Sequence, residues 1–213
     1  MSNAPRSALI ETALAMNASG INSGTSGNLS VRNGQGMLIT PSGFRYEDLQ
    51  AGDIVFIDEN GEAEGTSKPS SEWRFHYDIY KQRPDAQAVL HAHPTHCATL
   101  ACLNKAIPAF HYMVAVAGGR DIRCARYATF GTQDLSDHIL EALVGRTACL
   151  MANHGLVCLG PDLKKVLSLA VEIEHLAKTY SQCLALGDPT ILDDEEMDRV
   201  IEKFRHYGAK NVT

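Results

Sequence analysis

The sequence predicts an α/β fold in the broad sense: a single domain, residues 1–213, with a central mixed, mainly antiparallel sheet flanked by helices. Three observations carry this. Short apolar runs bounded by Gly, Asn, Ser and Pro recur between Leu29 and Ile57 as a hairpin series. Segments with apolar residues at helical spacing accompany such runs along the chain. No Pro/Ser-rich linker, charge block or repeat divides the 213 residues, a length that supports one well-cored domain.

Taken in order, Arg6 to Ser19 places Leu9, Ile10, Ala13 and Leu14 at helical spacing, and Gly20 ends the pattern. Asn22 to Asn28 is a loop of small polar residues leading into a strand, Leu29 to Arg32. Its backbone N–H groups and hydroxyls could cradle a phosphate. It is not a Walker loop, since no Lys-Ser/Thr follows the glycines, and as a plain turn it would need no ligand. Met37 to Thr40 reads as the next strand, Pro41-Ser42-Gly43 as a second polar turn, and Ile54 to Ile57 as a buried strand. Lys68-Pro69-Ser70-Ser71-Glu72 is expected to open a helix running to about Gln82, because Pro, Ser and an acid suit a helix N-terminus. The same residues could bind an anion there. Ala86 to Leu90 reads as an apolar strand that Pro94 stops, and Thr95 to Leu103 as a helix. Pro108 to Tyr112 is irregular, Met113 to Ala117 is a short apolar run, Tyr127 to Gly131 is a loop, and Asp134 to Val144 is a helix. A hairpin around His154 joins Ala148–Met151 to Leu156–Leu159. Asp162 to Leu186 is a long helix, broken by Gly187-Asp188-Pro189. Asp193 to Glu196 puts acids at the start of the last one, where they complement the helix dipole.

The formal charge of −6 argues against a nucleic-acid or anionic-membrane partner, although a local metal and backbone N–H groups could still hold an anionic small molecule. No secretory signal is read at the N-terminus, and no apolar run reaches membrane-spanning length. The six cysteines form no Cys-x-x-Cys and read as small core residues, so a cytoplasmic location is expected.

The chemistry concentrates at His91-Ala92-His93. Residues two apart on a strand point the same way, so the two imidazoles share a face. With His154 in its turn and Glu72 upstream, they suit a divalent transition metal, zinc above all, with a coordination position left open for catalysis. The bland alternative is a set of buried histidines satisfying backbone carbonyls. His96, His111 and His76 are weaker candidates as ligands. An open metal site beside a carboxylate and a phosphate cradle suits chemistry next to a ketone, such as proton abstraction or C–C cleavage. No lysine is marked as a Schiff-base former.

The chain resembles the class II aldolase/epimerase-type family, and within it the L-fuculose-1-phosphate aldolase branch. The likeness runs through Gly24-Thr25-Ser26-Gly27-Asn28-Leu29-Ser30, Leu38-Ile39-Thr40-Pro41-Ser42-Gly43 and Pro69-Ser70-Ser71-Glu72-Trp73. It continues through His91-Ala92-His93, Phe110-His111-Tyr112-Met113, Thr129-Phe130-Gly131, Asn153-His154-Gly155 and Phe204-Arg205-His206-Tyr207-Gly208. The resemblance implies a class II aldolase-like fold and a cytoplasmic, zinc-dependent lyase. Such an enzyme reversibly cleaves a ketose 1-phosphate, such as L-fuculose 1-phosphate, to dihydroxyacetone phosphate and an aldehyde such as L-lactaldehyde. It further implies one Zn2+ per subunit on His91, His93 and His154, with Glu72 as a resting-state ligand that doubles as acid/base. Thr25, Asn28, Ser42, Gly43, Ser70 and Ser71 would bind the substrate phosphate. Tyr112 would act as a catalytic acid from the neighbouring subunit of a fourfold homotetramer, and Phe130 and Tyr207 would shape the aldehyde end. An aldolase for 5-methylthioribulose or 5-deoxyribulose 1-phosphate, a by-product of purine salvage, would use the same zinc and phosphate residues. A sugar-phosphate 4-epimerase ranks lower, because that branch carries Asp where this chain has Glu72. A non-enzymatic interaction domain ranks last, because the metal ligands are all retained.

Overall fold

A computed structural model describes residues 3–206. Asn28–Asn33 (β1), Gly36–Ile39 (β2), Val55–Ile57 (β3) and Ala63–Glu64 (β4) form an antiparallel meander. Ala88–Ala92 (β5), Cys124–Ala125 (β6), Ala148–Met151 (β7) and Gly155–Gly160 (β8) complete the sheet. Among the described residues eight strands join in the order β4-β3-β2-β1-β5-β8-β7-β6, and every neighbouring pair is antiparallel except β6 with β7. The mixed, mainly antiparallel sheet expected from the hairpin series is therefore present. The two-residue strands β4 and β6 are too short to have been legible.

Among the described residues six α-helices cover the sheet: Ala4–Ala18 (α1), Trp73–Gln82 (α2), Thr95–Cys102 (α3), Gln133–Ala142 (α4), Leu163–Leu186 (α5) and Asp194–His206 (α6). The side-chain alternation of the strands divides the core in two. Leu90 and Ala92 of β5 join Leu29, Leu150 and Leu156 on the face covered by α1, α3 and α5. Val89 joins Ile39, Val157 and Met151 on the other face, against Phe75 and Ile79 of α2 and Leu135 and Ile139 of α4. On α5 the buried residues Val166, Ala170, Ile173 and Ala177 recur at helical spacing. Asp162 caps that helix by accepting from the N–H of Lys165, and Thr132 caps α4 by accepting from that of Leu135.

Three local expectations change. The helix expected from Lys68 begins only at Trp73. Pro69 disfavours the helical region for the residue before it, and Ser70 donates its N–H to Thr40 O (3.1 Å), so this stretch runs alongside Thr40–Ser42 instead. The apolar run after Tyr112 is a 3-10 helix, Tyr112–Ala117, closed by Gly118 in the left-handed region. Cys97, Cys149 and Cys158 are buried, whereas Cys102 is exposed and Cys124 and Cys183 are half-buried; all six are unpaired. No helix among the described residues is long and apolar enough to cross a membrane.

Candidate active site

Strand β5 pairs with β1 on one side and β8 on the other, with Asn28 opposite His91 and Val157 opposite His91. His91 is fully buried and points to the face covered by α2 and α4. Its Nδ1 donates to Leu156 O (3.0 Å), which fixes the tautomer and turns the Nε2 lone pair inward. His93 lies just past the strand, and its Nε2 comes within 2.9 Å of that of His91. His154 enters from the β7–β8 turn, where Asn153 adopts φ +54° and donates its N–H to Ala101 O (3.0 Å). The side chain of Glu174 on α5 accepts from the N–H groups of His96 and Cys97 at 2.9 Å each. That carboxylate caps α3. Helix α3 thus anchors both histidine segments.

The donor nitrogens of His91, His93 and His154 lie within 4.8 Å of one another. Glu72, the residue before α2, brings Oε2 to 3.2 Å from His91 Nε2 and Oε1 to 3.3 Å from His154 Nε2. These separations match the edge of about 3.3 Å of a tetrahedron with bonds of roughly 2.0–2.1 Å. Glu72 is buried, and its Oε1 lacks a hydrogen-bond partner. An orphaned, buried carboxylate oxygen facing three imidazoles is what a divalent cation would satisfy. The residues present fit a metal.

At two of the three imidazoles the electrostatics favour ligation. Burial first, then the neighbouring His91, pushes His93 and His154 down to about 4, so both imidazoles are neutral donors at pH 7. For Glu72, burial favours the neutral acid, but His91, His154 and the Asn28 amide outweigh it and hold the carboxyl at about 2. Burial pulls His91 down, yet the Glu72 carboxylate more than compensates and leaves it raised.

The proposed phosphate residues come from three loops that the fold brings side by side. Thr40 is the organiser: its Oγ1 accepts from Leu29 N (3.2 Å), its N–H donates to Leu29 O, and its carbonyl accepts from Ser70. Ser42 donates its N–H to Lys68 O at 3.0 Å. The Tyr46 hydroxyl, buried, donates to Gly27 O. Thr25, Ser42, Gly43 and Ser71 are exposed on these loops, whereas Ser70 and Asn28 are buried. Asn28 faces the carboxylate: its Nδ2 donates to Glu72 Oε2 at 3.0 Å. Thr40 and Tyr46 carry no local sign of this role, since hydrogen bonds between distant segments leave no periodicity.

A cavity of about 300 Å³ opens over the cluster, lined by Ser71, Glu72, His93, Phe130, Asn153 and His154, with Tyr127 and Ala128 completing its wall. Phe130, which the resemblance assigns to the aldehyde end, lines this cavity together with Tyr127, which the sequence did not single out. Tyr112 does not reach this cavity. It is half exposed, stacked on His111 and Phe204, and lines a separate groove of about 880 Å³ with Phe110, Met113 and Leu192. Tyr207 lies outside the described residues. Of the weaker histidines, His111 is exposed and accepts from Met113 N, and His76 is wholly buried behind Asn28.

Comparison with known proteins agrees with this geometry. Residues 7–181 match the family described as Class II Aldolase and Adducin N-terminal domain. The chain is 56% identical to the 5-methylthioribulose-1-phosphate/5-deoxyribulose-1-phosphate aldolase of Rhodospirillum rubrum, covering 95% of this chain and 92% of that one. It is 52% identical to the L-fuculose phosphate aldolase of Escherichia coli, covering 95% and 94%. A solved L-fuculose 1-phosphate aldolase superposes with a TM-score of 0.93 at 41% identity, covering 96% of this chain and 98% of that chain. With the fold, the histidine cluster and these relatives in accord, the chain belongs to the class II aldolase family.

Proposed function

We propose that this protein is a zinc-dependent aldolase that reversibly cleaves a ketose 1-phosphate with a deoxy or methylthio terminus into dihydroxyacetone phosphate and a small aldehyde. One observation carries the reading: three imidazole nitrogens and the unpartnered Glu72 oxygen converge at the base of a cavity whose outer wall is Tyr127, Ala128 and Phe130. L-fuculose 1-phosphate, 5-deoxyribulose 1-phosphate and 5-methylthioribulose 1-phosphate all end in an apolar group that such a wall would accept. The identities of 56% and 52% to enzymes named for these sugars support the same class.

A zinc ion held by His91, His93 and His154 would supply Lewis-acid polarisation of the substrate's ketone and neighbouring hydroxyl. Glu72 is the acid/base group. Burial drives it towards the neutral acid and the imidazoles and the Asn28 amide hold it as the carboxylate, so movement away from the imidazoles would raise its proton affinity. Thr25, Asn28, Ser42, Gly43, Ser70 and Ser71 would hold the phosphate end, and Phe130 with Tyr127 would exclude water from the aldehyde end. Tyr112 would donate a proton to the aldehyde oxygen from a neighbouring copy in a homotetramer. Its half-exposed ring, in a groove apart from His91, His93 and His154, supports a role in trans. The six unpaired thiols support a cytoplasmic setting.

The test is a panel of ketose 1-phosphates scored by release of dihydroxyacetone phosphate. The three apolar-ended sugars should exceed ribulose 1-phosphate, which ends in a hydroxymethyl group, by roughly ten- to a hundredfold in kcat/KM, the discrimination an apolar wall supplies against an added hydroxyl. Equal turnover of ribulose 1-phosphate, or no release from any of the four, would overturn the reading.

A further inference from the structure

Behind Glu72 lies a file of buried polar side chains that the chemistry above does not use. His76 and Ser30 are fully buried and Tyr80 nearly so, in a core otherwise built from Phe75, Ile79 and Val89. Tyr80 OH is 2.9 Å from Ser30 Oγ, and Ser30 Oγ is 2.7 Å from His76 Nδ1. His76 Nε2 is 2.6 Å from Asn28 Oδ1, and Asn28 Nδ2 is 3.0 Å from Glu72 Oε2.

The direction of every hydrogen bond in this file follows from its last member. An ionised carboxylate only accepts, so the Asn28 amide turns its Nδ2 towards Glu72. Its Oδ1 then faces His76 and needs a donor, so the His76 proton sits on Nε2. Nδ1 is left as an acceptor, so Ser30 donates to it, and Tyr80 donates to Ser30. Burial keeps His76 neutral, pushed down to about 3, and raises Tyr80 above its usual range, so neither end of the file changes charge near pH 7. A fully satisfied buried network costs more to assemble than apolar packing and imposes one geometry. Here that geometry holds Glu72 by Oε2 and leaves Oε1, 3.3 Å from His154 Nε2, as the carboxylate oxygen without a hydrogen-bond partner.

We propose that Tyr80, Ser30 and His76 form a positioning relay that locks the Asn28 amide and thereby presents Glu72 to the metal and substrate through Oε1. His76 is a positioning residue: it touches Asn28 and not the reacting atoms. The inference rests on the reading of Glu72 as the acid/base group.

The first arm is NMR of the zinc-loaded protein with ¹⁵N-labelled histidine, the His76 signals being assigned by their loss in His76→Gln. His76 should be the neutral Nε2-protonated tautomer throughout pH 6–8. An Nδ1-protonated or charged ring would overturn the relay, whatever the enzyme's activity. The second arm is kinetic. His76→Gln keeps a donor for Asn28 and should stay within tenfold of the parent kcat. His76→Phe keeps the bulk without the donor; it should lose at least a hundredfold in kcat, with KM within threefold and zinc content unchanged. Equal kcat in the two variants would overturn the proposal. Ser30→Ala, a small change that folds even where Phe is not accommodated, should give mixed His76 tautomers and a reduced kcat; an unchanged tautomer and kcat would also refute it. A parent enzyme with no aldolase activity would sink the proposed function alone and leave the tautomer arm to decide the relay.

Discussion

Gly155→Ala tests how tightly the second sphere of the site is built. Gly155 opens β8 directly against the chain at His93. A Cβ there would stand 2.5 Å from Ala92 O and 2.8 Å from His93 Cδ2. Carbon contacts settle near 3.5 Å, so the His93 ring must retreat by roughly 0.7 Å, and the Ala92 carbonyl must also move. Metal–ligand distances tolerate only about 0.2 Å, so His93 would be carried off the position that the proposed zinc site requires. Zinc affinity should fall by about ten- to a hundredfold, the scale of losses when ligand-supporting contacts are removed. The overpacked strand pair should cost a further ~1–3 kcal/mol, seen as a loss of roughly 2–12 °C in the melting temperature of the metal-free protein. Competition against a chromophoric chelator measures the first quantity and calorimetry the second. Gly52→Ala is the control, since no atom lies within 4 Å of its added Cβ. A Gly155→Ala protein with parental zinc affinity and melting temperature would refute the reasoning.

Three further outcomes are expected. His93→Ala should abolish both zinc retention and aldol cleavage while leaving the sheet intact, since His93 is only half-buried; elemental analysis showing about one zinc per chain in the variant would exclude it as a ligand. His76, wholly buried, has a folded-state pKa of about 3, below the ordinary value of 6.5, so its contribution to stability is fully present above pH 6.5 and is lost as pH falls towards 3. Urea titrations of the metal-free protein should therefore show stability declining over that window, by up to ~4–5 kcal/mol from this group, with a shallower decline in His76→Gln; equal slopes would assign the loss elsewhere. Tyr112→Phe should retain zinc and fold but lose most of its cleavage rate, and co-expression with His154→Ala should restore activity in mixed oligomers. Mixed oligomers no more active than either parent would show that Tyr112 does not act across subunits.

What the sequence determined by itself was whatever depends on near neighbours. The period of two placed His91 and His93 on one face, because alternation is a property of a single strand. The turn residues at Asn153-His154-Gly155 announced a hairpin, and Asp162 announced a helix start, because caps and turns are satisfied within a few residues. Many ordered motif matches make the family legible in the sequence alone. Lys68–Ser71 misled as a helix start because the deciding hydrogen bond, Ser70 to Thr40, spans thirty positions of chain. Only the tertiary structure decided that Asn28 stands opposite His91 and turns its amide to Glu72, because strand register is fixed by the packing of the whole sheet. It alone disclosed that Glu174 caps the helix after His93, that Thr40 draws the polar loops together, and that His76 backs the carboxylate rather than binding metal. It alone set Tyr112 in a groove away from His91, His93 and His154. Each of these is a contact between groups far apart in sequence, chosen by burial and unmet hydrogen bonds, and no local pattern of residues records it.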